Sequence, residues 1–151
     1  MILITVHDNY KDSAADPILR SAAEAVLLEC EVPDSPSLLI RITDNEELKS
    51  LNAQYRGIDK TTDVLSFTAD FFDPDLESQY LGDVVIAYPK AEEQSEKRGH
   101  FVADELQLLV VHGVLHLLGY DHEDQQQKKE MWSIQSRILE RLGLDIEVED
   151  N

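Results

Sequence analysis

The run Leu108-Leu109-Val110-Val111-His112-Gly113-Val114-Leu115-His116-Leu117-Leu118-Gly119-Tyr120-Asp121-His122 decides the fold and what can be built on it. Its first part is apolar on nearly every side, the pattern of a buried helix rather than a surface one. His112 and His116 are four residues apart, so 3.6-residue turns set both side chains on one face, one above the other. Gly119 supplies a position that takes positive φ, which lets the helix end and the chain turn back. His122 follows three residues later and can approach the same point from another side. Two imidazoles from a helix and a third from beyond a glycine turn make the facial three-ligand set of a catalytic zinc, with one position left for water.

A single histidine on an apolar helix is more often a hydrogen-bonded core residue than a ligand. Three packed together without a cation would leave several ring nitrogens short of partners, at roughly 1–3 kcal/mol for each. Metal binding is therefore the expectation. A closed structural zinc needs a fourth protein ligand. The one cysteine, Cys30, lies far away in an amphipathic stretch and reads as a small buried hydrophobe. Asp121 is adjacent and leaves a closed site open. The spacing His-x3-His-x5-His, with its glycine seven residues after the first histidine, matches the metal-binding half of the metzincin proteases. Those enzymes place a glutamate directly after the first histidine as general base, and here that position is Gly113. The helix is expected to hold a similar metal for different chemistry.

At 151 residues the chain reads as one domain over 1–151, long enough to bury about 68–70% of its unfolded surface without staples. One cysteine rules out an internal disulfide framework and fits a reducing compartment. The apolar start from Met1 to Val6 is too short for a signal-peptide core, and no run reaches the ~20 residues of a membrane span. A cytoplasmic location with no membrane partner is the expectation. The formal charge of −18, from 31 acids against 13 bases, argues against non-specific binding to nucleic acid. It leaves a local site possible, because exposed charges are screened within about 8 Å at physiological salt.

Outward from the central helix the elements read as follows. Ile2 to Val6 is a short strand. Asp16-Pro17 has the form of an N-cap and first helical proline, opening a helix to about Glu29 that buries Leu19, Ala22, Ala23, Val26, Leu27 and Cys30. Leu38 to Ile42 is a second strand. Thr43-Asp44-Asn45-Glu46 has capping-box form, with a helix to Tyr55 whose inner stripe is Leu48, Leu51 and Tyr55 and whose stop is Gly57. Asp63–Thr68 and Leu81–Ala87 are strands, joined through an acidic loop or hairpin at 69–80. A short helix runs from Pro89 to Gly99, the central helix from Phe101 to Leu118, and a last helix from Asp124 to Leu142 with Met131, Ile134, Ile138 and Leu142 inside. The acidic tail 144–151 is expected to fray. The order predicts an α+β domain: a small mixed four-stranded sheet packed with about five helices, the buried central helix carrying the metal ligands.

Three segments together resemble the YbeY family of endoribonucleases, over roughly residues 35 to 143 and in matching order. They are Leu51–Arg56 with Thr62–Phe67, then Leu81–Ile86, then His112–His122. The departures are Thr68, where the family often has proline, and Ala87, where serine or cysteine is common. The resemblance implies a metal-dependent RNase directed at single strands. Its implied work is ribosomal RNA maturation, notably at the 3′ end of the small-subunit RNA, and ribosome quality control. It implies zinc on His112, His116 and His122, one ion per chain, and a functional arginine at Arg56. Small-subunit ribosomal proteins and an assembly GTPase are implied partners. On sequence alone Arg56 reads first as a cation complementing a helix C-terminus, and only the resemblance tips it toward a functional role.

Asp63 and Asp83 could each accept from a ligand histidine or cap a turn beside its strand. Lys60 could, with Arg56, guide a phosphate backbone, or be an ordinary solvated lysine. His100 could contact RNA or cap the central helix, and Tyr120 could stack on a base or pack the turn. Three functions compete. They are a metal-dependent endoribonuclease, a metzincin-like hydrolase acting on another substrate, and a non-catalytic ribosome-assembly factor whose metal is structural.

Overall fold

The structure, a computed structural model, describes residues 1–14 and 16–146. Strand β1 (Ile2–Val6) leads through a 3₁₀ turn at Asp8–Tyr10 to helix α1 (Asp16–Glu29) and strand β2 (Ser37–Thr43). Helix α2 (Asn45–Arg56) precedes the long strands β3 (Val64–Asp73) and β4 (Ser78–Ala87). Helices α3 (Tyr88–Arg98), α4 (Val102–Leu117) and α5 (Gln125–Arg141) complete the described chain. The sheet order is β1-β2-β4-β3, with β1, β2 and β4 parallel and β3 antiparallel at the edge. This is the expected mixed four-stranded sheet with five α-helices.

The alternation of side chains along β4 sorts the core into two layers. Val84 and Ile86 face α1 and α4 in the main cluster, whereas Val85 and Ala87 join Leu48 of α2 and Leu65 of β3 on the opposite face. Helix α4 is the pillar of the main layer. Leu106, Val110, Val111, Val114 and Leu115 on it are fully buried, so its apolarity on all sides answers to neighbours all round: α1, α3, α5 and the sheet.

Several local expectations move. The segment 69–80 is no loop: β3 and β4 continue through it as a hairpin whose turn is 74–77, with a bulge between Thr68 and Phe71 where Asp70 takes φ +52°. The cap of α2 is Asp44, whose side chain accepts from the Glu47 N–H at 2.9 Å. Thr43 is drawn into β2 as its last residue, opposite Ala87. Tyr55 is not on the inner stripe of α2. It is 61% exposed, and Asn52 is buried in its stead, donating to the Lys60 carbonyl at 2.9 Å. Asp16 lies in the first turn of α1, ion-paired with Arg20, and the cap position before it is outside the described residues. Of the tail, Leu144 and Ile146 pack against the core; residues 147–151 lie outside the described residues.

Candidate metal centre

Helix α4 ends where the sequence placed its stop. Gly119, at φ +99°, donates to the His116 carbonyl at 3.0 Å, and Tyr120 donates to that of Leu115 at 3.1 Å. These are the two bonds of a Schellman motif, which a residue with a Cβ would adopt only with strain. The turn swings His122 back over the helix. The rings of His112, His116 and His122 converge, with centroids 4.6, 5.9 and 5.3 Å apart in pairs. One donor atom from each lies within 4.8 Å of the others, and the Nε2 atoms of His112 and His116 are 3.0 Å apart. A tetrahedral ion with nitrogen ligands at ~2.0–2.1 Å needs donors about 3.3–3.4 Å apart. The observed spacings bracket that value.

The outer sides of the rings are held by other groups. Gln135 of α5, itself buried, lies with Oε1 3.0 Å from His112 Nδ1. With Gln135 accepting from Nδ1–H, the His112 Nε2 lone pair is turned toward the other two rings. The His116 ring bonds the Tyr120 backbone. Trp132 closes the remaining side, edge-on to both His112 and His122 at 5.9 and 5.8 Å. Orientation of ligand imidazoles by such outer hydrogen bonds is the usual companion of a metal site. Burial lowers the proton affinity of His112, and lowers that of His116 to about 4, helped by the neighbouring rings of His112 and His122. At neutral pH both rings are therefore neutral, the charge state a metal requires of its imidazole ligands. The donor set fits a borderline divalent cation.

Gly113 is explained by packing. A Cβ there would lie 2.5 Å from Val84 Cγ1 and 3.1 Å from Cγ2, so helix and sheet meet with no room for a side chain. Ser66 of β3 donates to the Gly113 carbonyl at 2.9 Å and clamps the same contact. The glutamate that a metzincin carries at this position has no space here, which counts against protease chemistry by that route.

The three histidines open into a cleft of about 770 Å³ that straddles the edge strand β3. Arg56, exposed at the last turn of α2, lines the same cleft, as do Asp63 and Tyr120. Asp63 Oδ1 accepts from the Val64 N–H at 2.8 Å, the turn-capping role, while its charge also raises the proton affinity of His112. Tyr120 packs against the core with its hydroxyl facing Cys30. Asp83 is taken by the Tyr80 hydroxyl. His100 neither caps α4 nor faces the cleft: its Nε2 lies 2.7 Å from the buried Glu105 carboxylate. Gln135 and Trp132 were not legible as site residues. The one signal was a glutamine interrupting the apolar stripe of α5 between Met131 and Ile138.

The family model described as Endoribonuclease YbeY matches residues 4–143. The chain belongs to the YbeY endoribonuclease family. It is 42% identical to Endoribonuclease YbeY of Caldanaerobacter subterraneus subsp. tengcongensis over 87% of this chain and 90% of that one. It is 39% identical to the Endoribonuclease YbeY of Geobacillus kaustophilus, over 93% and 99%. The solution structure of TM1509 from Thermotoga maritima shares the fold with a TM-score of 0.64 at 29% identity, covering 94% of this chain and 89% of its own. Membership makes this YbeY-family chain a hydrolase of RNA. No helix among the described residues is long and apolar enough to cross a membrane.

Proposed function

We propose that the protein is a zinc-dependent, single-strand-specific endoribonuclease of ribosomal RNA, with His112, His116 and His122 as metal ligands and Arg56 as the catalytic arginine. The observation that carries this is the convergence of three imidazoles on a cleft that an arginine also lines. When bound, the cation would supply Lewis acidity and a water of pKa ~7. Arg56 offers paired N–H donors to the equatorial oxygens of the phosphorus centre, where negative charge grows as the bond breaks. Fixed donors aimed at that charge can outweigh the loss of a general base at position 113. Burial keeps the His112 and His116 rings from carrying charge ahead of the ion.

The proposed setting is the cytoplasm, with action at the 3′ end of small-subunit ribosomal RNA and in ribosome quality control. Small-subunit ribosomal proteins and an assembly GTPase are the proposed partners, and residues 1–151 act as one domain. The charge of −18 favours a second reading, in which acidic surfaces bind basic ribosomal proteins and the metal is structural. Purified protein offered single-stranded RNA, duplex RNA and casein, with and without chelator, separates the readings. Chelator-sensitive cutting of single-stranded RNA alone is expected. Unfolding on chelation with nothing cut overturns the nuclease and leaves the assembly role.

A further inference from the structure

We infer that Tyr55 and Phe67 form a stacking platform for one unpaired base of the RNA, beside the phosphate held at Arg56; this rests on the endoribonuclease reading. Tyr55 is a large aromatic side chain 61% exposed on a helix with an apolar layer available beneath it. Its one aromatic neighbour is Phe67 of β3, met nearly edge-on with ring centroids 5.3 Å apart and planes at 67°. Such a contact steadies the tyrosine and leaves most of its surface open to solvent. Both rings line the metal cleft. Tyr55 precedes Arg56 in the last turn of α2 and both line the cleft, so one helix end brings it a phosphate donor and a flat apolar ring. A nucleotide presents the same pair, a charged phosphate and a flat base.

The charge balance strengthens the assignment. A chain at −18 cannot hold RNA by a broad cationic surface, so most of its grip must come from contacts indifferent to charge. Base–aromatic stacking is such a contact, and it tolerates any sequence because every base has a π-face. Paired bases are already stacked on one another, so this platform admits single strands and turns duplexes away.

The test uses the metal-loaded full chain and a uridine decamer carrying one 2-aminopurine, whose fluorescence falls on stacking, followed in stopped flow before cleavage. Wild type should quench the probe. Tyr55→Ala should lose the quench and raise KM about tenfold or more, the loss falling on KM more than on kcat. Tyr55→Phe should restore both, and Tyr55→Leu should not. The slope of binding against salt should be unchanged in Tyr55→Ala and lower by about 0.7 in Arg56→Ala. If leucine serves as well as phenylalanine, or if Tyr55→Ala binds and quenches like wild type, stacking is wrong. A wild type that cuts RNA without quenching also sinks the platform alone. One that neither cuts nor binds RNA brings down the endoribonuclease reading with it.

Discussion

Helix α4 carries polar groups into the core at both ends, and the two ends treat them oppositely. Near its start Glu105 is completely buried. Arg98 Nη1 donates to its two oxygens at 3.2 and 3.0 Å, and His100 Nε2 lies 2.7 Å away. The Gln94 amide, with its nitrogen turned inward, adds a donor at 3.0 Å to Glu105 and another at 3.3 Å to Asp63. Two turns later, His112 has Gln135 as its outer partner, and its Nε2 lies 3.0 Å from that of His116 at the wall of an open cleft. Both clusters contain histidine in a mostly apolar helix. A cluster whose donors and acceptors are all matched inside the chain holds elements together. One whose lone pairs converge toward solvent is arranged for something the chain does not contain.

That contrast breaks down if variants at the two ends behave alike. The largest effect is expected from His116→Ala, which removes a ligand from a site with only three. Cleavage of single-stranded RNA should fall to the level of the chelated wild type, and the fold should survive because the ring lies at the cleft wall. Trp132 is the single tryptophan and touches two of the rings, so its emission should respond to zinc in wild type and not in His116→Ala. Arg98→Met is the opposite case. It strips the buried Glu105 carboxylate of its guanidinium and should cost about 3 kcal/mol by denaturant unfolding, the low end for a broken buried pair because His100 remains. Its zinc response and cleavage, measured well below the melting transition, should match wild type. Loss of metal binding in Arg98→Met at full folding would join the two clusters into one.

The end that carries the three histidines was the more legible in sequence. His112, His116 and the Gly119 stop are fixed by helix geometry within about two turns, so spacing alone placed them. His122 needed only the glycine turn between. Gln135 could not be read this way, since its partner is 23 residues away on another helix. The same limit explains Tyr55. Helical periodicity put it inside, but the buried face of α2 rotated toward Asn52 once the Lys60 carbonyl was there to receive its amide. Thr43 lost the cap to Asp44 because β2 extends one residue further, and Arg41 draws in Glu47 rather than Glu46, at 2.7 and 2.9 Å. A hairpin at 69–80 was one of two readings, but the extension of both strands through it hid behind its composition: six of these twelve residues are Asp, Glu, Pro or Ser, and its alternation is broken by the bulge at Asp70.

Acid should separate the two clusters next. His116 sits at about 4 in the folded chain against 6.5 when free, held down first by burial. Between those values the unfolded chain binds the extra proton, so stability rises with pH across this window and is lost as pH falls. From pH 7 to pH 5 the metal-free protein should lose about 2 kcal/mol on account of His116, with His112 adding in the same direction. In His116→Ala that part of the slope should vanish. A metal-free wild type whose denaturation midpoint is flat from pH 7 to 5 would mean that the rings take up protons as readily folded as unfolded, and the site would then be poorly prepared for a cation.

The smallest effect concerns Gln135, which holds the His112 ring from behind. Gln135→Leu keeps the volume near His112 and deletes the acceptor that fixes its ring. Outer-shell losses of this kind cost about 10–100-fold in metal affinity or activity, and the lower end is expected because two other ligands stay in place. A competition titration against a zinc chelator should therefore show a roughly tenfold weaker site in Gln135→Leu, while Gln135→Glu, which keeps an acceptor, should bind zinc at least as tightly as wild type. The ordering is what discriminates. If leucine binds as tightly as glutamine, the Gln135 contact is packing of the same closed kind as that around Glu105. If glutamate alone strengthens the site, the His112 ring is being steered toward the cleft by its outer hydrogen bond.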